Sequence, residues 1–137
     1  MFKNPTPEEI RALLRAVKTI AVVGFSPKPD RASYNVARAL QDFGYKVIPV
    51  RPALVEGLGE KAYASLRDLP AAPDLVDVFR AADAVDEIVD DCIAIGAKQL
   101  WLQDGVVNEP AALRAQAAGI VVVMDRCIWR DYRALIS

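Results

Sequence analysis

Thr19-Ile20-Ala21-Val22-Val23-Gly24-Phe25-Ser26-Pro27-Lys28-Pro29-Asp30-Arg31-Ala32-Ser33-Tyr34 is the stretch from which the rest of the chain is read. It opens as a run of apolar and β-branched residues, the mark of a strand buried on both faces of a parallel sheet. The run stops at Gly24 and passes through a loop holding two prolines, a lysine and an arginine. Ser33 then stands where a helix cap belongs, ahead of the periodic Val36, Ala37, Leu40 and Phe43. A strand, a glycine turn and a helix N-terminus together make an anion site, because free backbone N–H groups and the positive end of the helix dipole both favour a phosphate. Lys28 and Arg31 add full charges beside them. The pattern predicts a loop that holds the phosphates of a nucleotide.

Outward from this loop, strand and helix alternate. Thr6-Pro7-Glu8-Glu9 reads as a capping box that opens a first helix with Ile10, Leu13, Leu14 and Val17 on one stripe. A second helix is predicted from about Tyr34 to Phe43, closed by Gly44. Tyr45 to Val50 is a second strand, in which Pro49 implies a ladder left incomplete on one side. A longer loop, with a helical turn around Ser65 to Leu69, leads to a third strand over Asp74 to Phe79. A helix over about Asp83 to Ile95, a strand over Lys98 to Leu102, a helix capped by Asn108, a strand over Ile120 to Met124 and a last helix from Ile128 to Ile136 follow. The fold expected is α/β: one Rossmann-like domain over 1–137, an open parallel sheet of about five strands in the order 3-2-1-4-5, with helices on both faces.

Composition removes several function classes. Apolar residues make up 53% and charged residues 26% of the 137, a globular balance. A net charge of −1 argues against a general nucleic-acid or anionic-membrane binder. No apolar run approaches the roughly 20 residues needed to cross a bilayer, and the N-terminus has no signal-peptide core, so a cytoplasmic protein is expected. The chain has no histidine, which excludes Ser-His-Asp, Cys-His and phosphohistidine chemistry within it. Cys92 and Cys127 have neither metal-ligand nor redox spacing, and no metal site is expected.

Ligands of an open parallel sheet bind beyond the carboxyl ends of its strands, where the winding reverses. The segments there are Gly24-Phe25-Ser26, Val50-Arg51-Pro52, Phe79-Arg80 and Gln103-Asp104-Gly105, and they bring Arg51, Arg80, Lys28 and Arg31 toward one edge. Four cations at one crevice favour a multiply phosphorylated ligand. The loop has one of the three glycines of the dinucleotide fingerprint, and strand two ends in Arg51-Pro52 where an NAD site carries an acid. A cation there suits a ribose with an extra phosphate, which leaves NADP and coenzyme A both open. Arg51 and Arg80 read equally as ligand contacts or surface ion pairs. Ser33 reads first as a cap, Tyr34 and Trp101 as packing, and Gln103 as either a ligand contact or a loop brace. Asp74 and Asp77 read as strand-end and loop charges, and Cys92 as packing. Cys127 lies near the same edge, where a buried inert thiol is expected and a mixed disulfide with a ligand thiol is the alternative.

Val23 to Arg31, Val47 to Pro52, Asp74 to Arg80, Trp101 to Gly105 and Val123 to Cys127 occur in an order that resembles the small bacterial CoA-binding proteins. These are stand-alone relatives of the CoA-binding domain in the succinyl-CoA synthetase α-subunit. The resemblance runs from about Thr19 to Cys127, with Arg51 where many relatives carry asparagine. It implies coenzyme A, or an acyl-CoA, held by the Gly24–Arg31 loop (with Phe25, Ser26, Pro27 and Lys28), by the turn of Val50, Arg51 and Pro52, and by Phe79 and Arg80; Ser33, Tyr34 and Gln103 join the candidate contacts from their places at the same edge. The ligase's phosphorylated histidine has no counterpart, so the expected function is non-catalytic binding of a small molecule. The alternative is an NADP-dependent enzyme or a CoA-handling subunit of a larger acyl-CoA enzyme.

Overall fold

The fold is taken from a computed structural model that describes residues 1–136; Ser137 lies outside them. Thr19–Val23 forms β1, and every residue after Thr19 in it is buried, as both-face coverage requires. β1 pairs in parallel with β2 (Lys46–Val50) on one side and β5 (Leu75–Val78) on the other. β6 (Gln99–Leu102) and β7 (Val121–Met124) extend the sheet beyond β5, so its order is β2-β1-β5-β6-β7. Between β2 and β5 lies a small antiparallel hairpin, β3 (Glu56–Gly57) and β4 (Glu60–Lys61), which the sequence pattern does not anticipate.

Helices cover both faces. The apolar sides of α1 (Pro7–Ala16), α2 (Ala32–Asp42) and α5 (Ile128–Leu135) share one core with Phe25 and Trp101. Those of α3 (Val85–Ile95) and α4 (Glu109–Ala117) share the other with Leu66. The expected capping box holds α1: Thr6 N–H donates to Glu9 Oε1 at 2.9 Å, and Glu9 N–H donates to Thr6 Oγ1 at 3.2 Å. Asn108 caps α4 by accepting from Ala111 N–H.

The α/β class is as the sequence implies, but the strand order is not. Counting sheet strands along the chain, it is 2-1-3-4-5 and not 3-2-1-4-5. The third strand lies across β1 from β2, because the connection after β2 crosses the face that carries α3, with Leu66 buried in that core. Pro49 supplies the physical reason. Its carbonyl accepts from Tyr63 N–H at 3.0 Å on the side away from β1, so its missing N–H also falls on the outer edge. A central β2 would have placed that gap inside the sheet. Tyr63 also accepts from Arg51 N–H at 2.8 Å, which covers this edge. At the other edge Asn4 does the covering: its side-chain amide accepts from Met124 N–H at 2.8 Å and donates to Met124 O at 3.0 Å.

Of two acids expected as strand-end and loop charges, Asp74 stands at the strand end and Asp77 does not fit. Asp74 braces the start of β1, accepting from Lys18 N–H at 2.8 Å and Thr19 N–H at 3.1 Å. Asp77 is no loop charge. It stands in β5 level with Val22 and Trp101, is wholly buried, and neither carboxyl oxygen has a hydrogen-bond partner. Burial pushes its pKa well above the ordinary carboxylate range.

The unfolded chain ionises Asp77 near pH 4, whereas burial in the folded chain favours the protonated form to higher pH, so its contribution to stability falls as the pH rises. Asp77→Asn is therefore expected to unfold at a higher temperature than the native chain at pH 8, by roughly 3 °C or more, with a smaller difference at pH 4. Thermal melts followed by circular dichroism check this, and a difference that does not change with pH would contradict it.

Candidate functional site

Gly24 ends β1 at φ +82°, and a Cβ built on it would lie 2.6 Å from the Phe79 carbonyl oxygen. No other residue fits that backbone at that distance. The turn opens a crevice between the ends of β1 and β5, at the point where the winding changes direction. Two clefts meet there and share Gly24, Arg51 and Phe79. One, of about 430 Å³, is lined also by Ser26, Lys28, Arg31, Ala32 and Ser33. The other, of about 620 Å³, runs along Phe25, Val50, Pro52 and Arg80 to Ser65, Leu66 and the first turns of α3.

The loop of the smaller cleft is tied by its own serines. Ser33 is not the cap of α2, a correction to the sequence reading. The helix begins two residues earlier than expected, at Ala32, and Arg31 is the cap residue, with no side-chain cap bond. Ser33 instead turns back and its Oγ accepts from Ser26 N–H at 2.9 Å, while Ser26 Oγ accepts from Lys28 N–H at 3.2 Å. Both hydroxyls are buried at the mouth and keep a proton to donate. The first-turn N–H groups of α2 have no intrahelical acceptors, and no side chain caps them. An oxyanion would satisfy them.

Cations gather at the joint mouth of the two clefts. Lys28, Arg31, Arg51 and Arg80 are exposed, and none enters an ion pair among the described residues. Arg51 is aimed inward by a bond from Nη1 to the Phe25 carbonyl at 3.4 Å. It sits at the head of a turn closed by Leu54 N–H on the Arg51 carbonyl at 3.4 Å, with Pro52 second and Ala53 third at φ +63°. Glycine is the usual third residue of such a turn, so the alanine carries about 1 kcal/mol of strain to hold this shape.

Three expected residues line neither cleft. Pro27 is exposed on the loop. Tyr34 is half-buried against the α1–α2–α5 core, its ring 6.1 Å from that of Phe25. Gln103 is buried and its Oε1 accepts from Ile128 N–H at 3.2 Å, which makes it a brace for α5. The rest of that strand end is also engaged. Arg130 grips Asp104 through two bonds of 2.8 and 2.9 Å, which holds the Asp104 pKa below its usual range. Gly105 N–H donates to Asp125 at 2.7 Å. Cys127, half-buried, lines a separate cleft with Trp129 and Arg130, whereas Cys92 is buried and its thiol is pushed up to about 12. The sequence reading missed Ala64, Ser65 and Leu66 and the α3 wall of Ala84, Glu87, Ile88 and Asp91. With β5 beside β1, the start of α3 necessarily faces the crevice, and Pro49 was the signal for that order.

The geometry defines an open parallel α/β module with a crevice lined by cations and free helix N–H groups at its topological switch point. The chain belongs to the CoA binding domain family, whose match spans residues 18–133. It is 41% identical over 127 residues to the uncharacterized protein YneT of Bacillus subtilis, covering 93% of this chain and 94% of that one. A solved structure of a hypothetical protein from Pyrococcus horikoshii superposes with a TM-score of 0.94 at 37% identity, over 100% of this chain and 99% of the other. An ADP-forming acetate–CoA ligase of Archaeoglobus fulgidus is 25% identical over 81% of this chain, which corresponds to only 18% of the ligase. Domains of this family thus occur within enzymes as well as in short chains.

Gly24→Ala meets both a left-handed backbone and the Phe79 carbonyl, so a loss of about 2–4 kcal/mol is expected in denaturant titrations. Gly44 has φ +106° but nothing within 4 Å of a built Cβ. Gly44→Ala is therefore expected to cost only about 1 kcal/mol. Equal losses at the two positions would show that the close approach to Phe79 carries no weight.

Proposed function

We propose that the chain is a cytoplasmic module that binds coenzyme A or an acyl-CoA at this crevice and performs no chemistry itself. The observation that carries this is the uncapped N-terminus of α2, ringed by two serine hydroxyls and by Lys28, Arg31 and Arg51, none of them in an ion pair among the described residues. The pyrophosphate takes the helix end and the serines. Arg51, at the end of β2, takes the 3′-phosphate of the ribose through its guanidinium fork. The single-glycine loop and the cation after β2 disfavour NAD, and family membership favours CoA over NADP. A second reading draws on the ligase match: the chain presents CoA to residues of another chain, since it has no histidine of its own to carry a phosphoryl group.

Titration calorimetry with CoA, dephospho-CoA and NADP tests the assignment. CoA is expected to bind about 10- to 100-fold tighter than dephospho-CoA, the worth of one charge-assisted contact, and NADP to give no heat of binding. Arg51→Glu should weaken CoA far more than dephospho-CoA. NADP binding tightest of the three would end the proposal, and equal losses for both CoA forms would remove Arg51 from the 3′-phosphate.

A further inference from the structure

The larger cleft is electrically divided. Arg51 and Arg80 stand at strand ends on one side, and Glu87 and Asp91 stand one turn apart on α3. A ligand that is anionic along its whole length would be repelled at α3. The first turn of α3 also answers its own dipole with Asp86 and Glu87, so no phosphate belongs there. What the α3 side does offer is an apolar wall, Ala84 with the buried Leu66 and Ile88, against which a flat ring loses water.

The two carboxylates on this wall are not equivalent. Asp91 is taken by Arg67, whose Nε lies 2.6 Å away. Glu87 has no hydrogen bond or ion pair among the described residues, and its charge reaches Arg67 only through space. An unengaged acceptor beside an apolar wall matches a ring that carries a donor on its edge.

Building on the CoA reading above, we propose that Glu87 selects the base. Its carboxylate accepts a hydrogen bond from the exocyclic amine of an adenine seated against Ala84, Leu66 and Ile88. It repels a 6-oxopurine, which turns a carbonyl oxygen to the same place. The nucleotide then lies with its phosphates toward α2 and Arg51 and its base toward α3, in agreement with the division of charge.

The test is titration calorimetry with adenosine 3′,5′-bisphosphate and inosine 3′,5′-bisphosphate on the native chain, Glu87→Ala and Glu87→Gln. The native chain is expected to favour the adenosine compound by about tenfold or more, because an unpaired carboxylate facing a carbonyl is costly. Glu87→Ala should bring the two within about twofold, mainly by weakening adenosine. Glu87→Gln, whose amide presents either an acceptor or a donor, should bind the inosine compound more tightly than the native chain does, which a merely structural residue would not produce. A native ratio near one, or a native ratio retained in Glu87→Ala, overturns the base assignment while leaving CoA binding in place. Failure of CoA itself to bind the native chain removes both.

Discussion

The close approach of Gly24 to the Phe79 carbonyl is the constraint on which the crevice depends. β1 and β5 run side by side to Val23 and Val78, and Phe79 N–H still donates to the Val23 carbonyl at 2.9 Å before the chains turn away. A side chain at position 24 would force them apart below the mouth or fill it. With only a hydrogen there, the backbone turns through positive φ, and the same turn carries Phe25 into the core and Ser26 under the first turn of α2. Fold and site therefore share one backbone conformation, and neither can be altered at this point without the other.

Charge is used differently along the carboxyl edge of the sheet. Beyond β6 and β7 the polar groups satisfy each other, as Asp104 does with Arg130, Gly105 with Asp125 and Gln103 with Ile128. Beyond β1, β2 and β5, Lys28, Arg31, Arg51 and Arg80 stand at one mouth and enter no ion pair among the described residues. Like charges at one mouth repel and raise the local potential, and a low-dielectric cleft wall focuses it. A bound oxyanion relieves that repulsion, so the electrostatics favour occupancy even though the molecule as a whole carries a net charge of only −1.

Most of the architecture was legible because it is written in local rules. The capping box at Thr6 and Glu9, the cap at Asn108 and the apolar runs of β1, β5 and β7 each follow from neighbours a few residues apart. What local rules do not carry is which strand lies beside which, and the placement of α3 at the site followed from that. Pro49 held the answer, since a residue without an N–H belongs on an edge, but that inference needs the sheet to be considered whole. Ser33 was misplaced for a related reason. Its hydroxyl serves a partner seven residues away in the chain, the Ser26 amide, and a cap rule looks only forward along the helix. Asp77 likewise reads as polar in sequence, and only its position between Val22 and Trp101 shows it to be an acid in a dry interior, where burial favours the neutral form.

The pairing of Asn4 with Met124 has a meaning beyond local order. A carboxamide is chemically a peptide group at the end of a short tether, with one donor and one acceptor at the spacing a neighbouring strand would present. By offering both to β7, Asn4 acts as a sixth strand one residue long. It occupies the rim at Met124, one of the places where another molecule's backbone could add on to the last strand.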